Sequence, residues 1–83
     1  MARFRTPSAD TFAGRIAHEV RAEMIRQNLS QQQLADKLGW TQRRVSRRLT
    51  GDRPIDASEP EQLAAALGVP VARLIPIDAT EVA

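Results

Sequence analysis

The stretch Leu34–Gly51, LADKLGWTQRRVSRRLTG, decides how the rest of the chain is read. Leu34 with Leu38, and then Val45 with Leu49, are apolar pairs at the i, i+4 spacing of one helical face. Gly39 stands between them and can end a helix in the left-handed backbone conformation without a Cβ penalty. Thr41 can cap the next helix by accepting an orphan N–H. Two short helices are therefore predicted, joined by a sharp turn over Gly39, Trp40 and Thr41. Ala35 gives the first a small inner side chain, where a crossing helix can approach closely. The outward positions of the second are Gln42, Arg43, Arg44, Arg47 and Arg48, a dense cationic and hydrogen-bonding face.

The chain of 83 residues is long enough for one domain, with a core only just large enough to fold independently. Its apolar fraction of 42% suits a globular domain, and with Phe4, Phe12 and Trp40 as the only aromatics the packing is mostly aliphatic. No apolar run approaches the roughly 20 residues that span a bilayer, and the N-terminus lacks the apolar segment of a secretory signal. A cytoplasmic protein is expected. There is no cysteine and a single histidine, His18, so no disulfide, thiolate or zinc chemistry is expected and His18 takes a structural or surface role. Neither a glycine-rich phosphate loop nor acids at catalytic spacing occur, so neither an enzyme nor a cofactor is expected.

The net charge is only +2, and its distribution says more than its size. Arg43, Arg44, Arg47 and Arg48 come without an acid among them, and Arg53 follows. The acids gather later, at Asp56, Glu59, Glu61, Asp78 and Glu81. A basic face and an acidic C-terminal part are predicted.

Working outward, residues 1–8, MARFRTPS, have no periodicity and carry Arg3 and Arg5. They read as a flexible basic arm, either a solvated tail or a segment that reaches a DNA minor groove. Thr11 to Gln27 reads as the first helix, with Phe12, Ile16, Val20 and Met24 in one i, i+4 row, Ala13, Ala17 and Ile25 beside it, and Arg15, Glu19, Arg21, Glu23 and Arg26 on a solvated face. Ser30 and Gln33 form a capping box that starts the second helix at Gln31. In that first turn Gln31 can meet a phosphate or serve as ordinary helix surface. The third helix runs from about Gln42 to Leu49, and Gly51, Asp52, Arg53 and Pro54 break it. Ser58 with Glu61 is the preferred cap of a fourth helix and Asp56 with Glu59 the competing one; Leu63, Ala64, Ala66 and Leu67 bury. Pro70 to Ile75 reads as a short fifth helix, and residues 77–83 as a tail.

From Leu29 to Ile75 the sequence resembles the phage repressor and Cro type of helix-turn-helix domain, the lambda repressor-like or XRE family. Leu34, Ala35, Leu38, Gly39 and Val45 stand at that family's core and turn positions, and ALGVPVARLI resembles its closing segment. The resemblance implies an all-α fold, a compact bundle of five short helices with a helix-turn-helix, spanning about residues 9–76 as a DNA-binding domain. It implies that the third helix enters the major groove, with Gln42, Arg43 and Arg47 at base-reading positions and Arg44 touching a base or a phosphate. Glutamine pairs with adenine N6 and N7 and arginine with guanine O6 and N7. Gln31, Thr41 and Arg53 match phosphate-holding positions, and Arg48 joins them as a further phosphate contact.

The sequence also departs from the family. Where relatives bury an ion pair between the first and third helices, this chain has Met24 and Leu49, and a direct apolar contact between them is expected. Arg48 occupies a usual core position, so either Leu49 takes over that packing or the third helix is rolled. Trp40 is large for the turn and either packs half-buried or wedges against the DNA backbone. The function implied is a sequence-specific transcriptional repressor or Cro-like regulator of phage or prophage origin. It would occupy a palindromic operator in double-stranded DNA, with Arg73 to Ala83 as the candidate homodimer surface and a monomer left open. The alternative is an antitoxin or regulatory adaptor that uses the same fold to hold a protein partner.

Overall fold

Thr11 opens the first helix, its Oγ1 accepting the Gly14 N–H at 2.9 Å. The computed structural model describes residues 11–75. In chain order these form α1 (Phe12–Gln27), α2 (Gln31–Leu38), α3 (Gln42–Thr50), α4 (Glu59–Leu67) and α5 (Val71–Leu74), with no strand among the described residues. The predicted arm at residues 1–8 and tail at 77–83 lie outside them.

Three of the four long helices end in the same way. The Leu29, Trp40 and Val69 N–H groups donate back to Met24, Ala35 and Ala64, while Asn28, Gly39 and Gly68 donate to Ile25, Asp36 and Ala65. These are the paired bonds of a Schellman motif, which satisfy carbonyls the helix leaves over. Each motif needs one left-handed residue, and at the decisive turn that residue is Gly39, with φ of 75°. The residue after each turn is apolar, and Leu29, Trp40 and Val69 pack against the core. At α2 the capping box is complete: Ser30 Oγ accepts from Gln33 N, and Gln33 Oε1 accepts from Ser30 N.

The core is a single apolar cluster with a contribution from every helix: Ile16 and Val20 of α1, Leu34 and Ala35 of α2, Val45 and Leu49 of α3, Leu63 and Leu67 of α4, and Leu74 of α5. Each fully buried leucine or isoleucine contributes about 1.5–3 kcal/mol. Helix α1 packs against α3, α4 and α5, and α2 packs against α3 and α4. Met24 and Leu49 are both buried in this cluster and line one surface cavity. Arg21 bridges the same two helices by donating to the Leu49 carbonyl at 3.3 Å.

Four expectations are corrected. Phe12, predicted in the apolar row of α1, is 55% exposed, and Ile25, predicted beside that row, is 81% exposed. A four-residue step overshoots one turn by about 40°, so three steps carry Phe12 roughly 120° away from Met24. Glu23, expected on the solvated face, is buried and accepts hydrogen bonds from Arg26 at 3.1 Å and Gln27 at 3.0 Å. Because α1 touches both α4 and α5, its buried arc is wider than one row. At the start of α4, Ser58 makes no side-chain cap. Instead Asp56 Oδ1 accepts from the Ser58 N–H and hydroxyl, and Glu59 Oε1 accepts from the Asp56 N–H at 3.2 Å. The sequence preference for Ser58 with Glu61 fails because Glu59 faces inward, where α3 supplies partners for it.

Candidate nucleic-acid interface

Helix α3 is rolled with Val45 at the centre of its buried side. At about 100° per residue, Leu49 lies roughly 40° to one side of Val45 and Arg48 roughly 60° to the other, while Arg43 and Arg47 lie about 160° away. Leu49 takes the buried place, and Arg48 is half-buried beside it. Thr41 caps the helix, its Oγ1 accepting the Arg44 N–H at 3.1 Å, and its hydroxyl proton remains free to donate outward.

Arg44 and Arg48 turn together towards α4. Arg48 holds Glu59 with two parallel bonds, Nε to Oε1 at 2.9 Å and Nη2 to Oε2 at 3.0 Å, and Arg44 Nη2 reaches Oε2 at 3.2 Å. Glu59 is 1% exposed. Burial pushes its pKa up, but the hydrogen bonds from Arg48, Asp56 and Arg44 outweigh that and leave it below the ordinary glutamate value. The Glu59 hydrogen bond in turn raises the Arg48 pKa above its already high ordinary value. Glu59 is also the first residue of α4, where a carboxylate meets the positive end of the helix dipole. Trp40 closes the cluster from the turn: the Arg44 guanidinium lies 3.8 Å from its ring centre and that of Arg48 5.8 Å. Trp40 is thus half-buried against the core and stacked by cations.

The remaining predicted site residues line the open side. Gln42 and Arg43 are exposed and, among the described residues, their side chains have no ion pair or hydrogen bond; the same holds for Arg53. Arg47 points outward and its Nε is 3.4 Å from Asp52 Oδ2. Gln31 is half-buried in the first turn of α2, on the rim of the cavity that Met24 and Leu49 line. Gln31, Thr41, Gln42, Arg43, Arg47 and Arg53 therefore retain free donors, whereas Arg48 and much of Arg44 are committed to Glu59. Among the described residues no cluster of histidine, cysteine or acid side chains could hold a metal ion, and no helix is long and apolar enough to cross a membrane.

A family profile described as helix-turn-helix, HTH_3, matches residues 20–74, from the middle of α1 to the end of α5. The chain belongs to this helix-turn-helix family. Solved structures agree. A hypothetical transcription factor, NHTF, from Neisseria has 28% identity and a TM-score of 0.74, covering 92% of this chain and 85% of its own. The restriction-modification controller protein C.AhdI from Aeromonas hydrophila has 25% identity and a TM-score of 0.69, over 82% of this chain and 100% of its own. The DNA-binding domain of BldD has 30% identity and a TM-score of 0.69, over 83% and 99%. No curated protein sequence matches significantly.

In this helix-turn-helix protein, α2, the Gly39–Trp40–Thr41 turn and α3 are the motif itself. Two residues that bear on the interface have other places in the sequence reading: Glu59 is there an acid of the C-terminal part and a member of the competing α4 cap, and Asp52 a helix breaker. A signal for Glu59 did exist: Trp40, Arg44 and Arg48 repeat every four residues, a row that needs an anion beside it once it packs.

Proposed function

We propose that the chain is a sequence-specific, double-stranded DNA-binding transcriptional regulator that seats α3 in the major groove. The observation that carries this reading is the division of the α3 surface: Val45 and Leu49 face the core, while exposed Gln42 and Arg43 and half-buried Arg47 keep free donors away from it. The coarse part, a DNA-binding regulator rather than an enzyme, is supported by the family and by solved relatives described as a transcription factor, a controller protein and a DNA-binding domain. In the finer part, Arg43 and Arg47 read guanine and Gln42 reads adenine, while Gln31, Thr41 and Arg53 hold phosphates. Arg44 and Arg48 position α3 through Glu59 instead of contacting DNA, which revises their sequence-based assignment.

The protein acts as a phage-type repressor or Cro-like regulator, as a homodimer through its C-terminal region on a palindromic operator with half-sites about 34–36 Å apart. Selection of bound duplexes from a random pool, followed by affinity against salt, tests the reading. A two-fold symmetric consensus should emerge. If about 6–10 phosphates are neutralised, affinity should fall by roughly 10³–10⁵ between about 50 and 200 mM salt. No duplex bound at low salt would sink the proposal and favour a protein-binding adaptor.

A further inference from the structure

We propose that Asp52 is a specificity-determining residue: its carboxylate forms an ion pair on the Nε side of Arg47 at 3.4 Å, biasing it towards bases and away from phosphates. The inference rests on the reading of α3 as the recognition helix. Arg47 lies opposite Val45, and its side chain and that of Asp52 are 38% and 62% exposed. The pair therefore forms on the surface from which bases would be read. Backbone geometry brings Asp52 there. Gly51 adopts a φ of 86°, and the Arg53 N–H donates to the Arg47 carbonyl at 3.2 Å, folding the loop back over the last turn of α3. The Thr50 hydroxyl donates to the same carbonyl at 3.4 Å.

A guanidinium carries five donors in a fixed plane. A carboxylate beside Nε leaves the far Nη edge open, and that edge can pair with O6 and N7 of guanine. An arginine without such a partner is a long, mobile cation that meets any nearby phosphate equally well. Asp52 limits that mobility before binding and repels the DNA backbone. It thereby lowers sequence-independent affinity while preserving the base contact, so the ratio of specific to non-specific binding rises. Arg43 and Arg53, with no acid beside them among the described residues, lack this restraint.

The test uses the whole chain, a duplex selected from a random pool, and a scrambled duplex of the same base composition. Asp52→Asn should bind the scrambled duplex roughly two- to fivefold more tightly, the size of one exposed ion pair, and gain less on the selected one. Its log affinity against log salt on the scrambled duplex should steepen by about 0.9 as Arg47 takes a phosphate. In an Arg47→Ala background the same substitution should leave the ratio of the two affinities unchanged. An unchanged melting temperature would exclude damage to the fold. Equal gains on both duplexes for Asp52→Asn, or a fall in the ratio that persists without Arg47, would overturn the role of Asp52 while leaving the recognition helix intact. A wild-type chain that prefers no duplex in the pool would overturn the recognition reading, and this inference with it.

Discussion

Helix α3 carries two pairs of arginines that differ in what they meet. Arg44 and Arg48 leave it on the α4 side, meet the buried carboxylate of Glu59 and stack against Trp40. Arg43 and Arg47 leave it opposite Val45 and face solvent, Arg43 unpaired among the described residues and Arg47 beside an exposed Asp52. The difference teaches that a basic helix is not a uniform display. A guanidinium bonded twice to a buried carboxylate is a structural strut, since breaking it would strand a charge. One at the surface costs little to redirect, because an exposed ion pair contributes only about 0–1 kcal/mol. The struts set the roll of α3, and the roll selects which arginines are left for a ligand.

The most severe way to break this comparison is Glu59→Ala. It leaves the largely buried Arg48 and the more exposed Arg44 without their acid, and removes the bond to the Asp56 N–H. A loss of about 3–5 kcal/mol is expected in a denaturant titration. A loss below about 1 kcal/mol would mean that the cluster relaxes as surface pairs do.

A sharper comparison sets Arg43→Ala against Arg48→Ala in DNA binding. Arg43→Ala should lose about 1–3 kcal/mol of discrimination at one base pair with no change in melting temperature. Arg48→Ala should lower the melting temperature first, and any DNA effect should fall alike on specific and random duplexes. The reverse pattern would exchange their roles.

Acid gives the mildest perturbation. Glu59 has a lower pKa folded than unfolded, so its stabilisation is complete above about pH 4–5, near the unfolded glutamate value, and is lost as pH falls through the lower folded value. Asp56 shifts the same way, through the hydroxyl and N–H of Ser58. Unfolding free energy followed from neutral pH to pH 3 should decline over that acid range in the wild type, and decline less in Glu59→Gln. Identical profiles would deny Glu59 its role.

The helix starts and stops were legible because they depend on local chemistry. Ser30 and Gln33 lie three residues apart and satisfy each other's orphan groups, and Gly39 is readable as the left-handed stop that a Schellman turn needs. The apolar pairs of α2 and α3 were legible from spacing alone. The α4 cap was misread, since Asp56 and Glu59 were passed over in favour of Ser58. That choice depends on where the Glu59 carboxylate points, and α3 decides this from 11 residues away at Arg48 and 15 at Arg44. Glu23 was hidden for the same reason, its surroundings being set by α4 and α5.

By itself, then, the sequence determined five helices, the caps of α2 and α3, the turn at Gly39 to Thr41 and an arginine-rich α3, because periodicity and capping act within a few residues. Only the tertiary structure decided that Arg44 and Arg48 turn to Glu59 while Arg43 and Arg47 point away from it. A charge takes its role from the acid or solvent that packing brings beside it, and packing joins residues that the sequence keeps apart.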